Sequence, residues 1–511
     1  MRPFEVLILL SGFIALIGFF FPARKRPRFF AFVPFLSAIF VLIHLVLEKY
    51  RWQMVPAYVV VLCLVLLCLL QIRRGSGEGR PSSRGRRVAA LVGTSFGLLF
   101  LLISAAVPWL FPVVNLPRPT GPYAVGTTSL HFIDQSRPET LGAVPGAHRE
   151  FMVRVWYPAV PARGSRPIPY WEKANIIGPL RVEDFHAWGL KWVPRFFYNH
   201  FSLMKTNSYP DAPIAGGQSS YPVIVFSPGG GVIHEHNFLH MEELAGHGYI
   251  VLSLSHPYES WVVIFPDGRV VRANQFKPKK VKTQEEKDRD KRSLELVEKL
   301  KKTTSVEERK AIMREFFTLD PDKLIDKLLK VRVQDVRFTL DELQRMNSGE
   351  RASAFKGKLD LARQGVFGMS LGGATAGQVC LEDNRITAGV NLDGTQFGDL
   401  IDSYVNQPFM FMNSGESKEH NDFVYDRMKN DTYSVTIAGS SHMDFTDMFF
   451  TTPIVKRLSR KSIPDKRMYR VANAYMLAFF DKYLKGLESL LLTGPSNEFP
   501  EVTFKIVTRK N

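Results

Sequence analysis

The stretch Val366-Phe367-Gly368-Met369-Ser370-Leu371-Gly372-Gly373-Ala374-Thr375 sets one serine among glycines, where a short apolar run gives way to helix-forming residues. Gly368 to Gly372 match G-x-S-x-G, a pattern suited to a sharp strand-to-helix turn because flanking side chains larger than hydrogen block the bend. Such a turn lifts the Ser370 Oγ above the edge of a sheet and puts the Leu371 backbone N–H near the positive end of a helix dipole. The same five residues also serve as a plain packing turn, so the rest of the chain decides between a nucleophile and a spacer.

Seven strand-like runs, Phe151–Tyr157, Tyr221–Phe226, Tyr249–Leu254, Gly365–Phe367, Thr387–Leu392, Pro408–Asn413 and Tyr433–Ile437, are bounded by turn residues and separated by helical stretches. This alternation predicts an α/β fold with a mostly parallel sheet and helices on both faces, whose ligands bind at the carboxyl ends of the strands. His442, in Gly439-Ser440-Ser441-His442, follows the last of these runs, where an imidazole suits proton transfer from Ser370 and back to a leaving group. Asp393, in Asn391-Leu392-Asp393-Gly394, ends the strand after the elbow helix and gives the chain order Ser, Asp, His. Glu416, Asp444 and Asp447 compete for the histidine, and strand order favours Asp393. A second N–H for an oxyanion, beside Leu371, is expected from Ser227-Pro228-Gly229-Gly230-Gly231, whose glycines let the backbone approach a substrate.

His234, Glu235, His236 and His240 fit neither H-E-x-x-H nor a thiolate zinc pattern, and the sequence holds no dinucleotide or Walker phosphate loop. The expected chemistry therefore needs no cofactor and no metal. Lys277 to Asn347 read as a charged helical insertion, with a capping box at Ser305-Val306-Glu307-Glu308 and a second start at Asp320-Pro321. In it Leu329, Val333, Val336, Leu340 and Leu343 recur at helical spacing, and the charge run is the solvated face. The last helix is expected to cover the sheet.

The first 115 residues belong to a different solvent. Phe4–Phe21, Phe29–Leu47, Met54–Leu70 and Val88–Phe111 are long and almost free of charge, and spanning a bilayer takes roughly 20 apolar residues. Four transmembrane helices are expected in residues 1–115, ahead of a catalytic domain at 116–511. Arg24, Lys25, Arg26, Arg28, Arg73, Arg74, Arg80, Arg84, Arg86 and Arg87 fall in two loops, which places those loops in the cytoplasm and the catalytic domain outside, in a multi-pass cell-membrane protein. These ten account for much of the net charge of +17, so no nucleic-acid partner is needed to explain it. Of three cysteines, Cys63 and Cys68 lie in the third run, leaving Cys380 alone and the outer domain without an internal disulfide.

Thr120 to Gly126, the Tyr221–Phe226 run with its S-P-G-G-G turn, Gly246-His247-Gly248-Tyr249, Gly368 to Thr375, Asn391 to Asp393 and Gly439 to Asp447 together resemble the plasma-type platelet-activating factor acetylhydrolase family, over most of residues 118–486. The resemblance implies an α/β-hydrolase fold and calcium-independent removal of short or oxidised acyl chains from phospholipids. It implies Ser370 as nucleophile, Asp393 as triad acid, His442 as base, and Leu371 with Gly230 as oxyanion donors. Pro228 stands where the family usually has histidine and Gly230 where leucine is common, so the acyl pocket departs from the pattern. The four-span region also departs from secreted members. Phe185 to Met204, with Trp188, Lys191, Trp192, Arg195, Phe196, Phe197 and Tyr198, reads as an interfacial segment or as a pocket wall. Two rival functions remain: acyl transfer to another acceptor through the same acyl-enzyme, and a non-catalytic membrane sensor with a hydrolase-like domain.

Overall fold

The computed structural model describes residues 1–20, 27–73, 84–142, 144–187, 189–273, 283–303, 305–319, 323–417, 421–425, 427–458 and 463–508. Arg24, Lys25, Arg26, Arg74, Arg80, Trp188, the start of the insertion at Lys277 and the Asp320-Pro321 signal lie outside them. Two compact units form, one of residues 1–115, 169–205 and 451–458, the other of 116–168, 206–450 and 459–511.

The first unit is built on helices Pro3–Phe20, Val33–Ile43, Val55–Arg73 and Arg84–Leu110. Ile8, Leu16, Val60, Leu64 and Leu101 are buried between them, whereas Leu10, Leu42, Leu62, Ile72, Leu91 and Leu102 point outward. Glycines allow close approach: a Cβ on Gly97 would meet Leu16 Cδ2 at 3.0 Å. Among the described residues two helices, Trp52–Arg73 and Val88–Leu110, are long and apolar enough to cross a membrane; Pro3–Gly18 and Val33–Glu48 are apolar but shorter. The expected count of four is thus met by two, and for the second run the reason is local. The second run begins as a separate turn, Arg28–Ala31, and its helix starts only at Val33 and ends in the wider turn His44–Glu48, a rise of roughly 24 Å at 1.5 Å per residue. The aromatic segment joins this unit: Trp52 Nε1 donates to the Phe197 carbonyl at 3.1 Å and Phe111 packs edge-on against Phe197, while Trp192 stays exposed.

In the second unit the strands are β1 (Ala124–Pro138), β2 (His148–Ala159), β3 (Ser208–Pro210), β4 (Tyr221–Ser227), β5 (Ile250–Leu254), β6 (Val262–Ile264), β7 (Val270–Arg272), β8 (Leu359–Met369), β9 (Ile386–Leu392), β10 (Phe409–Ser414), β11 (Thr432–Ile437) and β12 (Val502–Val507). Ten of them form one sheet in the order β12-β11-β10-β9-β8-β4-β5-β2-β1-β3, and β6 and β7 make a separate hairpin. From β5 through β4, β8, β9 and β10 to β11 every pairing is parallel. All seven expected runs fall on strands of this sheet. The central strands are buried on both faces, as β4 is throughout, which is why they read as unbroken apolar runs. The sequence reading missed β1, β3, β12 and the hairpin. β1 pairs antiparallel with β2 and sets exposed and buried residues side by side, so its apolar signal is diluted.

Chain order reverses at β4, which has β5 on one side and β8 on the other. Such a switch point opens a crevice at the carboxyl ends of both strands. The S-P-G-G-G turn and the serine elbow leave the sheet there as neighbours, with Ser227 in register with Gly368. The closing helix Asp465–Lys485 covers β8 and β9; a Cβ on Gly365 would strike Phe480 at 2.8 Å.

The insertion supplies helices Gln284–Lys302, Val306–Thr318 and Leu324–Ser348. Thr283 opens the first with a full capping box. Ser305 caps the second by accepting the Glu308 N–H at 3.3 Å, but the Glu308 carboxylate takes the Thr303 hydroxyl instead of closing the expected box. Leu329, Val333, Val336, Leu340 and Leu343 are buried as their spacing requires.

Candidate active site

Ser370 joins β8 to the helix Leu371–Glu382 with φ +57° and ψ −121°, a conformation costly for a residue with a Cβ. Glycines make the turn fit. A Cβ on Gly368 would lie 2.0 Å from Gly372 O, and one on Gly372 would lie 1.8 Å from Ser227 O. The Ser370 N–H donates to Leu392 O at 2.9 Å, tying the elbow to β9.

Asp393 follows β9 and His442 opens a single turn, His442–Phe445, beyond β11. His442 Nδ1 lies 2.8 Å from Asp393 Oδ2. The Asp393 side chain is wholly buried while that of His442 is 41% exposed. Asp393 Oδ1 accepts the Ser414 N–H at 2.6 Å and Oδ2 the Ser417 hydroxyl at 3.3 Å, so the carboxylate is fixed as an acceptor for Nδ1–H. That leaves Nε2 with its lone pair free. Of the competing acids, Asp444 caps its own turn, accepting the Ser441 N–H and hydroxyl at 2.7 Å each. Asp447 Oδ1 accepts the Leu239 N–H at 3.4 Å. Of the histidines after β4, His240 is buried with Nδ1 2.8 Å from Asn473 Oδ1, and burial lowers its pKa.

Ser370, Leu371, Asp393 and His442 share a pocket of about 410 Å³. Its other walls are mostly apolar, Leu296, Val297, Leu300, Ile312, Met313, Phe316, Phe317 and Ile325 from the insertion and Phe397 from the loop after β9, with the polar Thr395 and Ser417 completing the lining. The charged insertion therefore has an apolar inner face that closes over the elbow. A regular spacing of Leu296 and Leu300, and of Ile312 and Phe316, carried that signal under the surrounding lysines and glutamates.

The glycine turn after β4 lies against the elbow. A Cβ on Gly229 would be 3.6 Å from Ser370 Cβ, and one on Gly230 would be 3.5 Å from Leu371 Cδ2. Behind it stands a polar cluster that sequence reasoning missed. Arg332, from the insertion's third helix, is fully buried and donates to Pro228 O at 2.5 Å, Gly229 O at 3.3 Å and Ser227 Oγ at 3.0 Å. Its other edge meets the Glu259 carboxylate, with Nε to Oε2 at 2.7 Å. Ser227 Oγ is also 3.1 Å from His256 Nε2, and His256 Nδ1 is 2.9 Å from Asp335 Oδ2. Arg332 and Asp335 interrupt the apolar face of their helix, and that interruption was the available clue.

A family model described as platelet-activating factor acetylhydrolase, isoform II, matches residues 110–489. The chain belongs to that family. The "Platelet-activating factor acetylhydrolase" of Cavia porcellus is 26% identical over 419 residues, covering 77% of this chain and 85% of its own. A "Probable 1-alkyl-2-acetylglycerophosphocholine esterase" of Arthroderma benhamiae is 22% identical over 455 residues, 82% of this chain and 99% of its own. Among solved structures, a ferulic acid esterase from Streptomyces cinnamoneus superposes with a TM-score of 0.57 at 24% identity, covering 77% of this chain and 99% of its own. The switch-point architecture is thus shared with that structure, and this member of the platelet-activating factor acetylhydrolase family is an ester hydrolase.

Proposed function

We propose that the protein is a membrane-anchored serine carboxylic-ester hydrolase that cleaves short acyl esters of phospholipids or related lipids through an acyl-enzyme. The observation that carries this reading is the strained Ser370 elbow sharing one apolar pocket with a His442 whose Nδ1 is held by a buried Asp393. Ser370 Oγ attacks the ester carbonyl carbon as its proton passes to His442 Nε2, and the N–H groups of Leu371 and Gly230 receive the negative oxygen. The carbon–oxygen bond to the alcohol breaks, and the proton on Nε2 goes to the departing alkoxide. Water, deprotonated by the same nitrogen, then adds to the acyl-enzyme and releases the acid and free Ser370. The apolar lining favours a hydrocarbon acyl chain over a polar one, and the volume lies in the range of small-molecule sites.

The anchoring reading rests on the two long apolar helices, the two shorter ones beside them, and the outward leucines and isoleucines of the bundle. With the basic loops in the cytoplasm, the hydrolase unit faces outward. Protease added to intact cells is expected to cut within Gln284–Lys302; protection there, lost on permeabilising, reverses the orientation. Hydrolysis of p-nitrophenyl acetate by the detergent-solubilised full chain tests the chemistry, and Ser370→Ala protein as fast as wild type contradicts it.

A further inference from the structure

The geometry points to Arg332 as a positioning residue for the oxyanion hole: it fixes the peptide planes of the glycine turn so that the Gly230 N–H faces the reacting carbonyl. This rests on the proposed reading of Gly230 as a donor. In a trans peptide the carbonyl of one residue and the N–H of the next point in opposite directions. Gly229 O and the Gly230 N–H share one such plane, and Pro228 O and the Gly229 N–H share the one before. Arg332 holds both oxygens from behind, through Nη2 and Nη1, so both N–H groups are turned the other way. Ser370 stands near that turn, with the position of a Gly229 Cβ 3.6 Å from Ser370 Cβ. Three consecutive glycines have no side chain to choose between this arrangement and the flipped one, so the choice falls to the guanidinium.

The guanidinium is itself held. Glu259 pairs with its Nε and Nη2 edge, and Arg332 is fully buried with Glu259 nearly so. Ser227, His256 and Asp335 brace its other edge, and the donor inventory fixes their protons. Arginine only donates, so Arg332 Nη1 gives a proton to Ser227 Oγ, and the Ser227 hydroxyl proton goes to His256 Nε2. Nδ1–H of a neutral His256 then donates to Asp335. Asp335 is clamped in turn by Arg149, with Nη2 to Oδ2 at 2.7 Å. This Ser-His-Asp chain is wholly buried and its serine proton is already engaged; it is a bracket and not a second nucleophile.

The test compares Arg332→Lys, Glu259→Gln and Gly230→Pro in the detergent-solubilised full chain, with p-nitrophenyl acetate as substrate and active sites counted by complete fluorophosphonate labelling. Proline removes the N–H of residue 230 itself, and loss of one oxyanion donor typically lowers kcat about 10²- to 10³-fold. Arg332→Lys, which cannot hold both carbonyls at once, is expected to lower kcat per titrated site about 10- to 100-fold with KM nearly unchanged. Its affinity for a phenylboronic acid, which forms a tetrahedral adduct on the serine, should fall in parallel. Glu259→Gln, which leaves the arginine in place but loosens it, should shift both readouts the same way by a smaller factor, and it stands in if Arg332→Lys does not fold. A merely structural role would reduce the folded fraction and leave kcat per titrated site alone, which overturns the inference. If Gly230→Pro is slow while the arginine and glutamate variants turn over like wild type, the positioning role fails and Gly230 stands. If Gly230→Pro is itself unimpaired, the donor reading fails and the inference falls with it.

Discussion

Among the described residues two Ser-His-Asp constellations meet at the carboxyl ends of the strands, and the contrast between them separates triad geometry from triad chemistry. In one, His442 is bonded to a buried Asp393 while its own side chain is 41% exposed beside Ser370 in an open pocket. In the other, His256 sits between Ser227 and Asp335 with all three buried. The second has the fuller set of hydrogen bonds. What it lacks is a way in for an ester and a serine proton that is free to move. A nucleophile needs strain, access and donors facing the reacting atoms; a bracket needs satisfaction and burial.

Removing the orienting acid should separate them most. Asp393→Asn is expected to reduce kcat about 10⁴-fold because an amide no longer holds the His442 tautomer, read as p-nitrophenyl acetate turnover. Asp335→Asn should leave labelled sites far more active than that, its damage appearing as a lower Tm. Gly372→Ala tests the ground the two share, since its Cβ would sit 1.8 Å from Ser227 O. Overpacking against backbone costs about 1–3 kcal/mol or more, so a clear drop in Tm should accompany lost turnover.

A smaller effect distinguishes the histidines by pH. Burial, followed by the nearby Arg332, holds His256 below its ordinary value of 6.5. Below about pH 6.5 the unfolded chain therefore takes up a proton that the folded one refuses. This contribution to stability is present above that pH and is lost as pH falls. His256→Gln should flatten the fall in Tm between pH 7 and 5, and an unchanged slope would place the pH sensitivity elsewhere. The mildest change is in the pocket wall. Leu300→Trp should lower kcat/KM for hexanoate and longer p-nitrophenyl esters by about 10-fold relative to acetate, since filling a pocket discriminates by only 1–3 kcal/mol.

The half of this contrast proposed as catalytic was legible in the sequence and the bracket was not. Ser370, Asp393 and His442 each follow a buried parallel strand, whose apolar run is unmistakable, and each strand end delivers its residue to one crevice. Arg332 and Asp335 come from the third insertion helix and His256 from the turn after β5. The break in that helix's apolar face marks Arg332 and Asp335, but only its three-dimensional path behind β4 brings them to Ser227 and His256, so no spacing reveals the partners. The apolar face of the insertion was hidden by its charge. Of the four apolar runs of the first unit, the second overstated helix length, because the turns at Arg28–Ala31 and His44–Glu48 consume residues that hydropathy counts as span.

The most direct measurement is to react the detergent-solubilised full chain with a fluorophosphonate and locate the adduct by peptide mass spectrometry. The adduct is expected on Ser370 alone, with none on Ser227 and none anywhere in Ser370→Ala protein. An adduct on Ser227, or wild-type labelling that survives Ser370→Ala, would contradict the assignment of nucleophile and bracket.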